Sequence, residues 1–104
     1  MHVGTFNDGP RNGPGTFGDI EPMLPYLRDL GINAIEIMPV AEFPVDYSWG
    51  YNPSLPFSVE SARGGPRGLH TFVKRAHAEG IAVILDVVYN HCGPGDNNLW
   101  RFDG

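Results

Sequence analysis

Two stretches of the chain, residues 32–38 and 81–88, are apolar on both alternations, and each follows a segment whose apolar residues fall at helical intervals. Such continuous runs predict strands of a parallel sheet covered on both faces, and Pro39 closes the first. Ahead of the second run, Leu69, Phe72, Val73 and Ala76 stand at i, i+3, i+4 and i+7, which predicts an amphipathic helix starting near Pro66 and ending at Gly80. Ahead of the first, Ile20, Leu24 and Leu27 form a similar stripe, with Thr16 and Asp19 at capping-box spacing and Gly31 as the stop. Pro22 fits a first turn, but Pro25 lies deeper and costs a hydrogen bond, so a kink or late start is expected there. The two helix-strand junctions match: Leu30-Gly31-Ile32 with Ile35 repeats as Glu79-Gly80-Ile81 with Ile84, 49 residues on. With a short strand over residues 2–6 the order is β-α-β-α-β, and right-handed crossovers make those strands parallel and adjacent. Glycine and proline gather in residues 7–18 and 43–68, which read as loops.

Periodicity alone does not separate a barrel from an open doubly wound sheet. A nucleotide-binding open sheet needs a glycine-rich turn directly between strand and helix; Gly13-Pro14-Gly15 leads to Gly18, but Pro14 and the long loop spoil that geometry. A complete (β/α)8 barrel takes about 250 residues, so at 104 residues any barrel here is partial. The net charge of −5 leaves no basic surface for nucleic acid. No apolar run approaches the ~20 residues of a membrane span, and Cys92 stands alone as an ordinary thiol of a reducing, cytoplasmic compartment. The chain opens inside the expected first strand, which implies residues upstream.

In either α/β architecture functional groups gather at the carboxyl ends of strands, which here means residues 39–51 and 86–91. Asp86-Val87-Val88-Tyr89-Asn90-His91 places a carboxylate, an amide and an imidazole at one strand end. This segment resembles the first conserved region of the α-amylase family, at the end of its third barrel strand. Four more pieces agree in order: His2-Val3-Gly4-Thr5-Phe6, Gly31 through Val40, Ser48-Trp49-Gly50-Tyr51 and Gly64-Gly65-Pro66. Within the family the chain is most similar to the branching-enzyme and malto-oligosyltrehalose trehalohydrolase group.

The resemblance implies a partial (β/α)8 TIM barrel with strands one to three and helices one and two in residues 1–91, and an excursion after strand three opening in residues 92–104. It implies a retaining enzyme acting on α-glucans such as glycogen, starch or maltooligosaccharides. The nucleophile, acid/base and auxiliary carboxylates of that mechanism follow later strands, so no catalytic residue is expected in this chain. Tyr51 would stack on the sugar at the cleaved position and His91 would donate to one of its hydroxyls. Asp86, Asn90 and Trp49 would organise the site, Trp49 as the floor beneath Tyr51. Asp86 would lack its usual arginine partner, which Arg63, Arg67 and Arg101 are in the wrong segments to replace. No metal or cofactor is expected, although Asn90 matches a calcium-ligating position of some relatives: one amide is far short of the six to eight oxygens calcium takes. Glu36 is expected to be structural, and Trp100 serves core or binding. Partners are the α-glucan and the rest of the parent polypeptide, with neither nucleic acid nor membrane; self-association of the isolated chain is expected. A non-catalytic carbohydrate-binding or assembly module built on the same barrel is the alternative, and a complete small α/β protein of unrelated role is a third.

The isolated chain is therefore expected to hydrolyse and transfer nothing, because no pair among Glu36, Asp46 and Asp86 is marked to act as nucleophile and acid/base at the ~5 Å separation retention requires. It is also expected to self-associate, because a sheet cut after its third strand bares its inner face and two strand edges. A reducing-sugar assay on amylose beside size-exclusion chromatography with light scattering checks both, and a compact monomer with turnover overturns them.

Overall fold

The computed structural model describes residues 1–10 and 12–94. In chain order the elements are helices α1 (Val3–Phe6), α2 (Phe17–Ile20) and α3 (Leu24–Asp29), strands β1 (Ala34–Ile37), β2 (Ala41–Glu42) and β3 (Leu55–Val59), helix α4 (Gly65–Ala78) and strand β4 (Ala82–Leu85). Single 3-10 turns, Glu21–Met23 and Ser61–Arg63, join α2 to α3 and β3 to α4.

β1 and β4 pair in parallel, with Ala34 opposite Ala82 and Ile37 opposite Leu85. The ladder runs on past both strands, since Asp86 N–H donates to the Ile37 carbonyl at 3.0 Å. On the other side of β1 a single residue takes the place of the expected first strand. The Met1 amino group donates to the Glu36 carbonyl at 2.6 Å, and Met38 N–H donates to the Met1 carbonyl at 2.9 Å, the bonding pattern of a parallel bridge opposite Ile37. The strand expected over residues 2–6 is a helical turn instead: Phe6 N–H returns to the His2 carbonyl at 3.1 Å. Local backbone bonding captures this stretch where Met1 alone reaches the sheet edge.

The helix expected before Gly31 is present but broken. Thr16 N–H and its hydroxyl donate to the Asp19 carboxylate at 2.8 and 2.7 Å, making Thr16 the cap of α2. Pro22 and Pro25 cannot donate, so the chain passes through a 3-10 turn and restarts as α3. The 49-residue repeat is physical. Gly31 and Gly80 both sit at positive φ, 92° and 74°, and each closes its helix in the same way. Gly31 N–H bonds the Arg28 carbonyl and Ile32 N–H that of Leu27; Gly80 N–H bonds His77 and Ile81 N–H bonds Ala76. This paired closure consumes the last helix carbonyls and turns the chain straight into a strand.

Phe17, Ile20, Leu24 and Leu27 from the first helical segment meet Phe72 and Ala76 of α4 over Ile35, Ile37 and Ile81. Phe17 and Phe72 are fully buried with ring centroids 5.8 Å apart. Outside this core, Glu21 pairs with Arg75 at 2.9 Å, and Arg28 pairs with Glu79, tying the first helical segment at two points to the C-terminal end of α4. Among the described residues one face of the sheet is covered and the other is largely bare. Ile35 and Ile37 are buried, whereas Ala34 and Glu36 are exposed and Ile84 is 51% exposed. The double covering read from the apolar runs is therefore half realised. Residues 43–68, read as loop, contain β3, which pairs antiparallel with β2. Residues 95–104 of the expected excursion, with Trp100 and Arg101, lie outside the described residues.

Phe72→Ala is expected to destabilise the fold by about 3–5 kcal/mol, the scale of emptying a buried aromatic position. Gly80→Ala should cost about 1–2 kcal/mol through the left-handed backbone, and Gly80→Asn less, because Asn tolerates that conformation. Urea midpoints of the three variants check both, and equal losses for Ala and Asn at position 80 overturn the turn argument.

Candidate functional site

The parallel pairing of β1 and β4 brings the segments leaving both strands to one edge of the sheet. Alternation along β4 puts Asp86 on the same face as Ile84, opposite Glu36, which is the uncovered face. Tyr51 reaches it from the loop between β2 and β3. Its approach depends on Gly50, whose φ is 89° and whose absent Cβ would lie 2.2 Å from the Pro39 carbonyl oxygen. No side chain fits there, so the loop folds back onto the end of β1 and carries Tyr51 across the sheet edge.

The Tyr51 hydroxyl donates to Asp86 Oδ2 at 2.6 Å. That bond, with partial burial and the charges of Asp86 and Glu36, raises the phenol above its ordinary pKa of 10. His91 Nε2 lies 2.7 Å from the Tyr51 carbonyl oxygen, and its Nδ1 lies 2.7 Å from Asn90 Nδ2. A carbonyl only accepts, so Nε2 carries the proton, and Nδ1 accepts from the Asn90 amide. Tyr51 is thus held twice, by Asp86 at its ring hydroxyl and by His91 at its backbone.

These positions amend several expectations. Asp86 is not an orphan, because the Tyr51 phenol replaces the absent arginine as its partner. His91 has both ring nitrogens engaged, so it has no free donor for a sugar hydroxyl in this arrangement. The same engagement leaves no imidazole nitrogen to activate the neighbouring Cys92 thiol. Asn90 spends its amide on His91, and among the described residues no three His, Cys, Asp or Glu side chains gather as a metal site. Trp49 is not a floor beneath Tyr51: it is 72% exposed and lines a different cavity with His2 and Arg63. Beside the Tyr51 cluster a cavity of about 250 Å3 is lined by Gly50, Phe57, Leu85, Asp86, Val88 and Tyr89. Phe57 is 90% exposed, its ring centroid 6.5 Å from that of Tyr89.

Two buried charges escaped the sequence reading. Glu60 and Arg63 are each 2% exposed. Glu60 accepts from Phe43 N–H at 3.1 Å and Ala62 N–H at 2.9 Å, which pins the strand-to-helix turn. Arg63 lies over the Phe43 ring, 5.4 Å from its centroid, and donates to the Ser48 carbonyl at 2.7 Å. Burial pushes its pKa down, and the Glu60 charge offsets part of that. Neither residue carries a pattern that marks it, since charges in a Gly/Pro-rich stretch read as solvated loop.

A parallel β/α arrangement with a polar cluster where two strands end defines a class in which loops at the carboxyl edge carry function. The alpha amylase catalytic domain family matches residues 2–101, and the chain belongs to that family. It is 47% identical to the malto-oligosyltrehalose trehalohydrolase of Saccharolobus solfataricus over 95% of its length and 17% of that protein. It is 38% identical to the 1,4-alpha-glucan branching enzyme of Nitrosomonas europaea, over 100% of its length and 14% of that enzyme. The crystal structure of Bacillus licheniformis trehalose-6-phosphate hydrolase superposes with a TM-score of 0.84 at 27% identity, covering 97% of this chain and 18% of that one. The chain thus spans about a sixth of the length of these relatives.

Because the raised Tyr51 pKa means that the folded state holds the phenol proton more tightly than the unfolded chain, the associated stability is present below about pH 10 and is lost as pH rises through the folded value. In a spectrophotometric titration Tyr51 is expected to ionise above its ordinary value, and Asp86→Ala should return it toward that value. No change in Asp86→Ala overturns the assigned bond.

Proposed function

We propose that this chain supplies part of the sugar-binding cleft of a retaining α-glucan-active enzyme, a glycosidase or glucanotransferase of the branching-enzyme or trehalohydrolase type, and has no turnover by itself. The observation that carries the reading is the double hold on Tyr51, by Asp86 and by His91, at the shared end of two parallel strands. A positioned aromatic ring offers a plane for the C–H face of a pyranose, and fixing that ring in advance lowers the entropic cost of placing the sugar. Asp86 serves as a positioning residue for the ring. His91 fixes the loop through Nε2, and a sugar hydroxyl reaches Nδ1 as a donor only by displacing the exposed Asn90 amide now bonded there. Residues 1–91 then form the opening portion of the barrel and residues 92–104 begin the excursion that follows.

The names of the similar proteins, a malto-oligosyltrehalose trehalohydrolase and a 1,4-alpha-glucan branching enzyme, support α-glucans such as glycogen or maltooligosaccharides as the substrate class. No described helix is long and apolar enough to cross a membrane; the cytoplasm is the proposed compartment, on the single unpaired thiol.

In the full-length protein carrying this segment, Tyr51→Ala and His91→Ala are each expected to lower kcat/KM on maltooligosaccharides by ~10²-fold, the scale of losing a positioning contact. Circular dichroism should show the fold intact in both. Near-normal kcat/KM in both variants overturns the placement of the sugar; saccharide binding by a wild-type protein without turnover supports a binding module instead.

A further inference from the structure

The guanidinium of Arg63 lies in the wall of a cavity that has no lining residue in common with the Tyr51, Asp86 and His91 cluster. The cavity measures about 450 Å3, and its wall includes His2, Thr5, Asp8, Asp46, Trp49 and Arg63. That volume falls within the ~300–1,000 Å3 of small-molecule sites. Among the described residues only one Arg63 nitrogen is bonded: Nη2 donates to the Ser48 carbonyl at 2.7 Å and meets His2 Nε2 at 3.1 Å. Nε is buried without a partner, and the bonds the guanidinium makes among the described residues are both from Nη2, none from Nη1. A guanidinium has five N–H donors, so most of this one is unspent although the residue is 2% exposed. A buried donor left so is costly, and with Nη1 also unbonded it points to an acceptor that arrives from outside. The sequence makes room for the group with Gly4, where a Cβ would come within 2.5 Å of Nη1.

An anion satisfies Arg63 but meets the carboxylates of Asp8 and Asp46. A polyol does not, because its hydroxyl oxygens accept from the guanidinium while its hydroxyl hydrogens donate to carboxylates. The C–H face of a pyranose then has the exposed indole of Trp49 to lie on. We infer that this cavity is a second saccharide-binding position, separate from Tyr51, in which Arg63, the two aspartates and Trp49 hold one sugar ring. The choice of an α-glucan as that saccharide rests on the function proposed above; the polyol chemistry does not.

Titration calorimetry of the full-length protein with maltotriose is expected to resolve two binding events. Trp49→Ala should weaken one of them at least ~10-fold and leave the other, while Tyr51→Ala does the converse. Gly4→Ala, which displaces Nη1, should weaken the Trp49-dependent event, and circular dichroism confirms that each variant is folded. A single event that Tyr51→Ala abolishes and Trp49→Ala leaves intact overturns this site and preserves the glucan reading. A Trp49-dependent event in a protein whose turnover survives Tyr51→Ala supports this site and removes the Tyr51 placement. Absence of any saccharide binding overturns both.

Discussion

The parallel pairing of β1 with β4 is the constraint on which the rest of the molecule depends. Two parallel neighbours cannot be joined by a tight turn, so the chain between them must cross back over the sheet, and α4 is that crossover. Burial of Phe72 and Ala76 against Ile35, Ile37 and Ile81 then fixes which face is covered. The opposite face is left to Glu36, Ile84 and Asp86 by alternation alone. Parallel direction also brings both strand exits to one edge. Tyr51 and Asp86, 35 residues apart in sequence, meet there because the crossover between their strands has been completed.

What was legible in the sequence follows from how locally each feature is determined. The stripe Leu69, Phe72, Val73, Ala76 and the paired stops Gly31 and Gly80 depend on 3.6-residue periodicity and on one backbone conformation, and both appear where the pattern puts them. The clustering of Tyr51 with Asp86 and His91 was reachable because parallel strands send their loops to a common edge. Bonding detail was not. Asp86 finding a phenol, and His91 spending both nitrogens on Asn90 and Tyr51, depend on side-chain rotamers that spacing does not encode. The failures lie where tertiary balance decides. Residues 2–6 read as a short strand but bond locally as helix, and β3, which pairs with β2, lies inside a stretch whose glycine and proline content reads as loop.

Arg63 and Glu60 show a further limit of pattern reading. Each is charged and stands in the turn between β3 and α4, Arg63 directly before Gly64, yet both are buried, because that turn packs against Phe43. Glu60 is satisfied by two backbone N–H groups and so costs little beyond its desolvation. Arg63 is not satisfied, and a donor-rich, fully buried cation is an unstable arrangement unless something completes it. The aromatic face of Phe43 offsets part of that cost.

The two polar centres differ in kind, and the difference follows from which groups are spent. Around Tyr51 the hydroxyl, the carbonyl, both imidazole nitrogens and the Asn90 amide are all engaged with one another, which makes a rigid support that presents a ring face. A ring face discriminates weakly among sugars, since most pyranoses offer a C–H surface. Around Arg63 the reverse holds: donors and carboxylates line open volume and are largely unspent. Unspent directional groups discriminate by the positions of individual hydroxyls, because a hydroxyl misplaced from Arg63 leaves a buried charge uncompensated, while the exposed Asp8 and Asp46 return to water. Gly50 is what keeps the two centres apart in character, for its contact with Pro39 swings Tyr51 toward Asp86 while the preceding Trp49 stays with His2 and Arg63. A side chain at position 50 would push the loop off Pro39 and move both aromatic rings together, so the rigid plane and the directional pocket share a single backbone hinge.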